Sequence, residues 1–340
     1  MTNLSTLSVG GAPVFGNLGG IPFTGNYWFV DPATGADGND GSSTLPLATL
    51  YEAHRRCIDG NNDVVILVGN GQSSGTARLS LAGAVAANSA ATTGTLNWTK
   101  NATHLIGVAA PTMVGSRARI APPAGTYLQS TFNSLAFVNV TGAGCLFANL
   151  DVFCGFSTGA NGMIAWTENG GRNAYQNVNF QGIADATSAA GANSRSLKIM
   201  GVGENSFYQC VIGEDTVARG AANASLEFAA GTPRNMFIDC VFPVQTSAAT
   251  PLIILGTGAA CMDRWQEFLR CSFINNIKST STQMTVMASL TNAAPGGLML
   301  FKSCTLIGMT KFGDTNALAN SYVDGGPPTA ATTGLALNPT

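Results

Sequence analysis

Four cysteines stand at matching points along the second half of the chain: Cys210, Cys240, Cys271 and Cys304. A column of thiols could in principle bind a soft metal. The spacing argues against it, because no Cys-x-x-Cys pair occurs and thiols on one line do not present zinc's tetrahedral set. Stacked strands would bring these cysteines within bridging range, but parallel Cβ vectors aim the sulfurs poorly for disulfides. Eight cysteines in 340 residues do not make a disulfide scaffold. We therefore expect the column to pack as small hydrophobes, with no metal and no cofactor.

Carboxylates facing one another are the second source of chemistry, since glycoside cleavage runs on an acid and a base held at a set separation. The chain has 18 acidic residues. Asp239 and Arg270 each precede a column cysteine by one, which reads as a surface ion pair worth under about 1 kcal/mol. Glu214, Asp215 and Arg219 fall in what reads as a polar loop, and Glu204, Asp263 and Glu267 at separate corners. The two histidines join no nucleophile constellation. His104 alternates with apolar neighbours as scaffold, while His54 reads as solvated or partner-facing beside Arg55 and Arg56. Asp37, Asn39 and Gly41 lack the full calcium-loop spacing and read as Asx turns. On these residues the chain is expected not to be an enzyme.

The cysteine column belongs to a larger phrase: an aromatic, two residues, a Cys or aliphatic, one residue, an apolar residue. It reads Phe147–Leu150–Val152, Tyr175–Val178–Phe180, Phe207–Cys210–Ile212, Phe237–Cys240–Phe242, Phe268–Cys271–Phe273 and Phe301–Cys304–Leu306. The centres, Leu150, Val178, Cys210, Cys240, Cys271 and Cys304, lie 28, 32, 30, 31 and 33 residues apart and form a core ladder. A fixed period of this size marks a solenoid, whose coils bury their apolar faces against each other. Alternation such as Asp239-Cys240-Val241-Phe242 predicts a strand with one buried face. A second apolar run precedes most phrases, for example Ser225–Phe228. A third side reads as short and polar, as in Asp185–Ser194. No helix-period run interrupts the repeats, so the pattern predicts an all-β parallel β-helix of about 31 residues per coil.

Charged residues are 10% of the chain, against roughly 25% in soluble domains. Its 45% hydrophobic content is broken into runs too short to cross a membrane. A net charge of −2 makes no electrostatic case for nucleic acid. No basic residue precedes an apolar segment at the amino terminus, so no secretory signal is expected.

Four segments are expected. Residues 1–26 read as an extended arm with Leu4, Leu7, Val14, Phe15, Leu18, Ile21 and Phe23 as assembly anchors. Residues 27–62 hold an opening strand, a Gly/Asp turn and a capping helix. The helix starts at the capping box Thr49-Leu50-Tyr51-Glu52, lines up Leu50, Ala53, Cys57 and Ile58, and ends at Asp59-Gly60-Asn61. Residues 63–312 form the β-helix, and 313–340 an extended tail.

The run Tyr27-Trp28-Phe29-Val30-Asp31, followed by Gly35–Gly41 and Pro46–Leu50, resembles the start of pectate-lyase-like right-handed parallel β-helix proteins. The likeness covers residues 27–69 by motif and the later coils by period. The whole chain is similar to tailed-phage virion proteins, which implies a capsid decoration protein, head fibre or tail spike, commonly trimeric. The resulting expectation is a non-enzymatic virion protein that decorates a capsid as a homotrimer. Its partners would be its own copies and the major capsid protein, with assembly in the host cytoplasm and no nucleic acid or membrane bound. The alternative is a tail spike or fibre that binds or cleaves surface polysaccharide.

Overall fold

The computed structural model describes residues 8–9, 12–13, 24–69, 79–80, 95–109, 118–121, 136–154, 164–276 and 282–324. The seven expected anchors of the arm, from Leu4 to Phe23, lie outside the described residues. Within that segment only the antiparallel pair Ser8–Val9 with Ala12–Pro13 is described.

The chain winds as a parallel β-solenoid with about 31 residues per coil. One side is a sheet of eight parallel strands running from Leu96–Trp98 to Met309–Gly313. A second side begins with Tyr27–Val30, which pairs with Asp63–Val68 and that with Thr103–Val108. It continues through the aromatic ends of the phrases: Phe147 pairs with Tyr175, Tyr175 with Phe207 and Phe207 with Phe237. The third side carries the far ends, pairing Phe180 with Ile212 and Phe242 with Phe273.

The last four phrases are thus two strand segments each, while the first two run within the single strands Leu146–Phe153 and Ala174–Gln181. Aromatic and centre are three residues apart, an odd number that would put them on opposite faces of an unbroken strand. Both are nevertheless buried. The residue before each centre restores the parity by adopting left-handed backbone: Asn149 (φ 55), Asn177 (φ 52), Gln209 (φ 50), Asp239 (φ 54), Arg270 (φ 52) and Ser303 (φ 53). That residue turns the corner between the second and third sides. At the first two corners Asn177 Nδ2 donates to Asn149 Oδ1 at 3.2 Å.

Inside, the rings stack with their coils. Centroid separations are 4.6 Å for Tyr175–Phe207, 4.7 Å for Phe207–Phe237, 4.8 Å for Phe237–Phe268 and 4.7 Å for Phe268–Phe301. Leu150, Val178, Cys210, Cys240 and Cys271 are buried beside this stack, and Cys304 is half-buried. All eight cysteines are free. The column thiols are more than hydrophobes, since each donates to the carbonyl of the aromatic one coil back. Cys240 Sγ reaches Phe207 O, Cys271 Sγ reaches Phe237 O and Cys304 Sγ reaches Phe268 O, each at 3.4 Å. A second internal ladder is polar. Asn173 N donates to Asn205 Oδ1 at 3.0 Å, Asn205 Nδ2 to Asn235 Oδ1 at 2.9 Å and Asn235 Nδ2 to Gln266 Oε1 at 2.7 Å. It satisfies buried backbone donors that the corner leaves without strand partners.

Several expectations are corrected at the ends and sides. The first helix spans Leu50–Arg56 and stops before Asp59. Thr49 Oγ1 caps Glu52 N at 3.1 Å, but the Glu52 carboxylate turns to Arg55 and Arg56, so only half of the capping box forms. Leu50, Ala53 and Cys57 are buried, whereas Ile58 is 55% exposed. The expectation of no helix between repeats fails at Ala186–Ala190, a single turn beside strand Glu214–Arg219. The solenoid also runs past residue 312. Helix Thr315–Ala319, capped by the Asp314 side chain, leads to Ser321–Val323, which pairs with the preceding rung. The tail boundary at 313 was too early because this last rung lacks the aromatic phrase.

Candidate functional site

On the third side, Ile120, Val152, Phe180, Ile212 and Phe242 point into the core. Strand alternation therefore turns Arg119, Asp151, Asn179, Val211 and Val241 to the opposite face, where register aligns them rung by rung. A cavity of about 430 Å³ opens on this face, within the range of small-ligand sites. Arg119, Phe153 and Gln181 line one end, Glu214, Asp215 and Thr216 a wall, and Val211, Val241, Pro243 and Ile274 the floor.

Arg119 Nε donates to Asp151 Oδ2 at 2.7 Å, and its guanidinium lies 4.7 Å from the centre of the Phe153 ring. Glu214 opens a strand that pairs with Val241–Thr246, so the expected loop is a paired strand. Gly213 permits that approach at φ +120, since a Cβ there would stand 2.5 Å from the Pro243 carbonyl oxygen. Glu214 accepts from Val217 N at 3.0 Å and from the Thr216 hydroxyl. Burial pushes its carboxyl above the usual range despite these bonds. Asp215, more open to solvent, accepts from Asn276 Nδ2 at 3.1 Å. The arrangement sets a buried carboxyl, raised by desolvation, beside a second carboxylate, two groups of the kind acid–base chemistry uses.

The other candidates do not join this site. Arg219 is buried and gives one hydrogen bond among the described residues, Nη2 to Leu252 O at 3.1 Å. Desolvation holds its guanidinium down to about 9. Glu204 is clasped by Arg172 and Arg234, Glu267 by Lys302, and Asp263 by Arg264. Asp239 and Arg270 pair at a different corner. His104 accepts from Leu146 N through Nδ1 at 3.0 Å, as scaffold. His54 is corrected from solvated to buried: Nε2 accepts from Thr99 N at 3.0 Å and the ring stacks 4.4 Å from Trp98. Asp37 accepts from Ala48 N and Thr49 N, tying the Gly/Asp turn to the helix start.

Sequence reading missed Arg119, Asp151 and Gln181. Asp151 could have been found, since it stands at the outward position inside the phrase Leu150-Asp151-Val152. Glu168 was also missed; it is buried, raised by desolvation, and held by Gly170 N, Gly171 N, Asn173 and the Tyr175 hydroxyl. Its place in the closed interior makes it a structural group. A second cavity, about 390 Å³, is walled by Ala186, Ala189, Val217 and Gly220 among others and presents no ionisable side chain among the described residues.

No protein-family model matches the chain, and no curated protein matches it. Solved structures do. The pectin methylesterase of Aspergillus niger is similar at 14% identity, with 90% of this chain and 83% of that chain covered and a TM-score of 0.50. A pectin methylesterase variant in complex with a hexasaccharide is similar at 12% identity, covering 90% and 91%, with a TM-score of 0.52. A pectate lyase follows at 10% identity, covering 88% and 78%, with a TM-score of 0.43. The expectation of a chain without enzymatic activity is corrected here. The similar structures are enzymes, and Glu214 and Asp215, read in the sequence as loop residues, line one groove with Arg119. What this chain has in common with those enzymes is the parallel β-helix fold.

Proposed function

We propose that this chain is a carbohydrate-active β-helix that holds an oligosaccharide along the third-side groove and acts on it by acid–base chemistry. The observation that carries the reading is the meeting of Glu214, Asp215 and Arg119, the last held by the buried Asp151, around one cavity on the outward face of the third side. Glu214, with its raised pKa, is the group to protonate a leaving oxygen. Asp215 is the group to take a proton from an attacking water. Arg119 positions the end of the groove through Asp151 and Phe153. Support also comes from the hexasaccharide complex of a protein with this fold. The setting we propose is a virion spike assembled as a homotrimer, which rests on the likeness of the whole chain to tailed-phage virion proteins and on the low share of charged residues.

The test is incubation of purified protein with neutral and acidic polysaccharides, followed by assay for new reducing or unsaturated ends and released ester groups. Turnover that disappears in Glu214→Gln while the melting transition stays in place is the expected result. Absence of both turnover and saccharide binding would overturn the reading.

A further inference from the structure

We infer that the groove is built for an uncharged oligosaccharide and selects against a chain of uronates; this rests on the carbohydrate reading above. Among the described residues that line the cavity, Glu214 and Asp215 carry carboxyl groups and Arg119 is the single cation. Arg119 is already committed, with Nε 2.7 Å from Asp151 Oδ2 and its planar face over Phe153. A substrate bearing a carboxylate on every sugar would face the Asp215 carboxylate with no cation left among the described lining residues to offset it. Like charges brought together where water is partly excluded repel far more than in bulk water. The neighbouring groups do not relieve this. Asn276, which holds Asp215, is neutral, and so are Gln181 and Thr216.

What the groove does offer suits a neutral sugar. Val211, Val241, Pro243 and Ile274 make an apolar floor across three rungs, on which the C–H face of a pyranose ring loses little hydration. Gln181 and Thr216 can donate to or accept from sugar hydroxyls at the rim. Apolar contact with a few placed polar groups is the usual composition of such sites.

Calorimetric titration of the full chain tests the inference with two classes of probe at low and high salt. One is a panel of neutral hexasaccharides of glucose, galactose and mannose, and the other is hexagalacturonate. We expect at least one neutral probe to bind, with a Kd that salt changes by less than about twofold. Hexagalacturonate is expected to bind at least about tenfold more weakly, and Asp215→Asn to narrow that gap. Tighter binding of hexagalacturonate than of every neutral probe, or a gap unchanged in Asp215→Asn, overturns the charge selection and leaves the carbohydrate reading standing. Failure of both classes to bind overturns the two together.

Discussion

Arg119 reaches across one rung to Asp151, its Nε 2.7 Å from an oxygen of a carboxylate with no exposed surface. The guanidinium keeps a path to water, with 14% of the side chain exposed, whereas the carboxylate has none. The two partners are therefore unequal. Arg119→Met strips a buried charge of its cation and is expected to cost about 3–5 kcal/mol. Asp151→Asn frees a cation that can turn outward and should cost less. Chemical denaturation of both variants checks the order, and equal losses would show that the pair is not the main anchor of this rung.

The histidines set the acid limit. Burial holds both His54 and His104 at about 4, below the ordinary 6.5, so each stays neutral in the fold and is protonated first in the unfolded chain. Their stabilisation is complete above pH 6.5 and is lost as pH falls toward 4. It amounts to about 3 kcal/mol for each at the lower end. His54→Gln or His104→Asn should flatten the dependence of the melting temperature on pH within that window. NMR of the imidazole protons should show no titration until close to pH 4.

The thiols set the alkaline limit. Burial raises Cys57 to about 12 and Cys145 to about 11 from the usual 9. The fold keeps these protons where the unfolded chain gives them up, so stability is full below pH 9 and declines as pH climbs toward 11 and 12. Cys240, raised by burial well beyond 9, should resist alkylation at neutral pH until the protein unfolds. Cys240→Ala should be mild. Cys240→Asp should destabilise by several kcal/mol, because its charge would be buried without a partner.

Arg219 is a cation held against its own interest. It is buried, and among the described residues Nε and Nη1 have no partner and its one hydrogen bond goes to a carbonyl. Arg219→Met keeps the length and removes the charge. We expect it to be neutral or to stabilise by about 1–4 kcal/mol, read as an unchanged or raised denaturation midpoint. A clear loss would show that the guanidinium anchors the corner at Leu252.

The period was legible because aromatics at one register stack on themselves, and Tyr175, Phe207, Phe237, Phe268 and Phe301 recur with the coil. The corner hid in the same phrase. An aromatic and a cysteine three apart cannot both face inward along an unbroken strand, and that conflict pointed to the left-handed residue between them. The polar ladder was also written plainly, since Asn173, Asn205, Asn235 and Gln266 each stand two residues before a stacked aromatic. The groove was not legible, for a physical reason. Phe147 pairs with Leu105, 42 residues back, and Leu105 with Val65, 40 back. Coils that long break the count, and although Arg119 stands 32 residues before Asp151, Gly115 and Ala118 hold the places of the phrase's aromatic and centre, so that rung carries no aromatic signal. Glu214 and Asp215 looked like loop residues because their strand follows Gly213 and pairs with a register shift.

Because every coil is bonded to the next by strand pairs along the axis, tension applied at the two ends would load one rung at a time. The molecule should come apart as a zipper and not as a single cooperative body, starting from Ser321–Val323, whose three pairs to Met299–Phe301 make the shortest of its described terminal contacts. Each released coil of about 31 residues would lengthen the tether by about 100 Å. A pulling record would therefore show a low, regular sawtooth with the same period that first appeared as a spacing between cysteines.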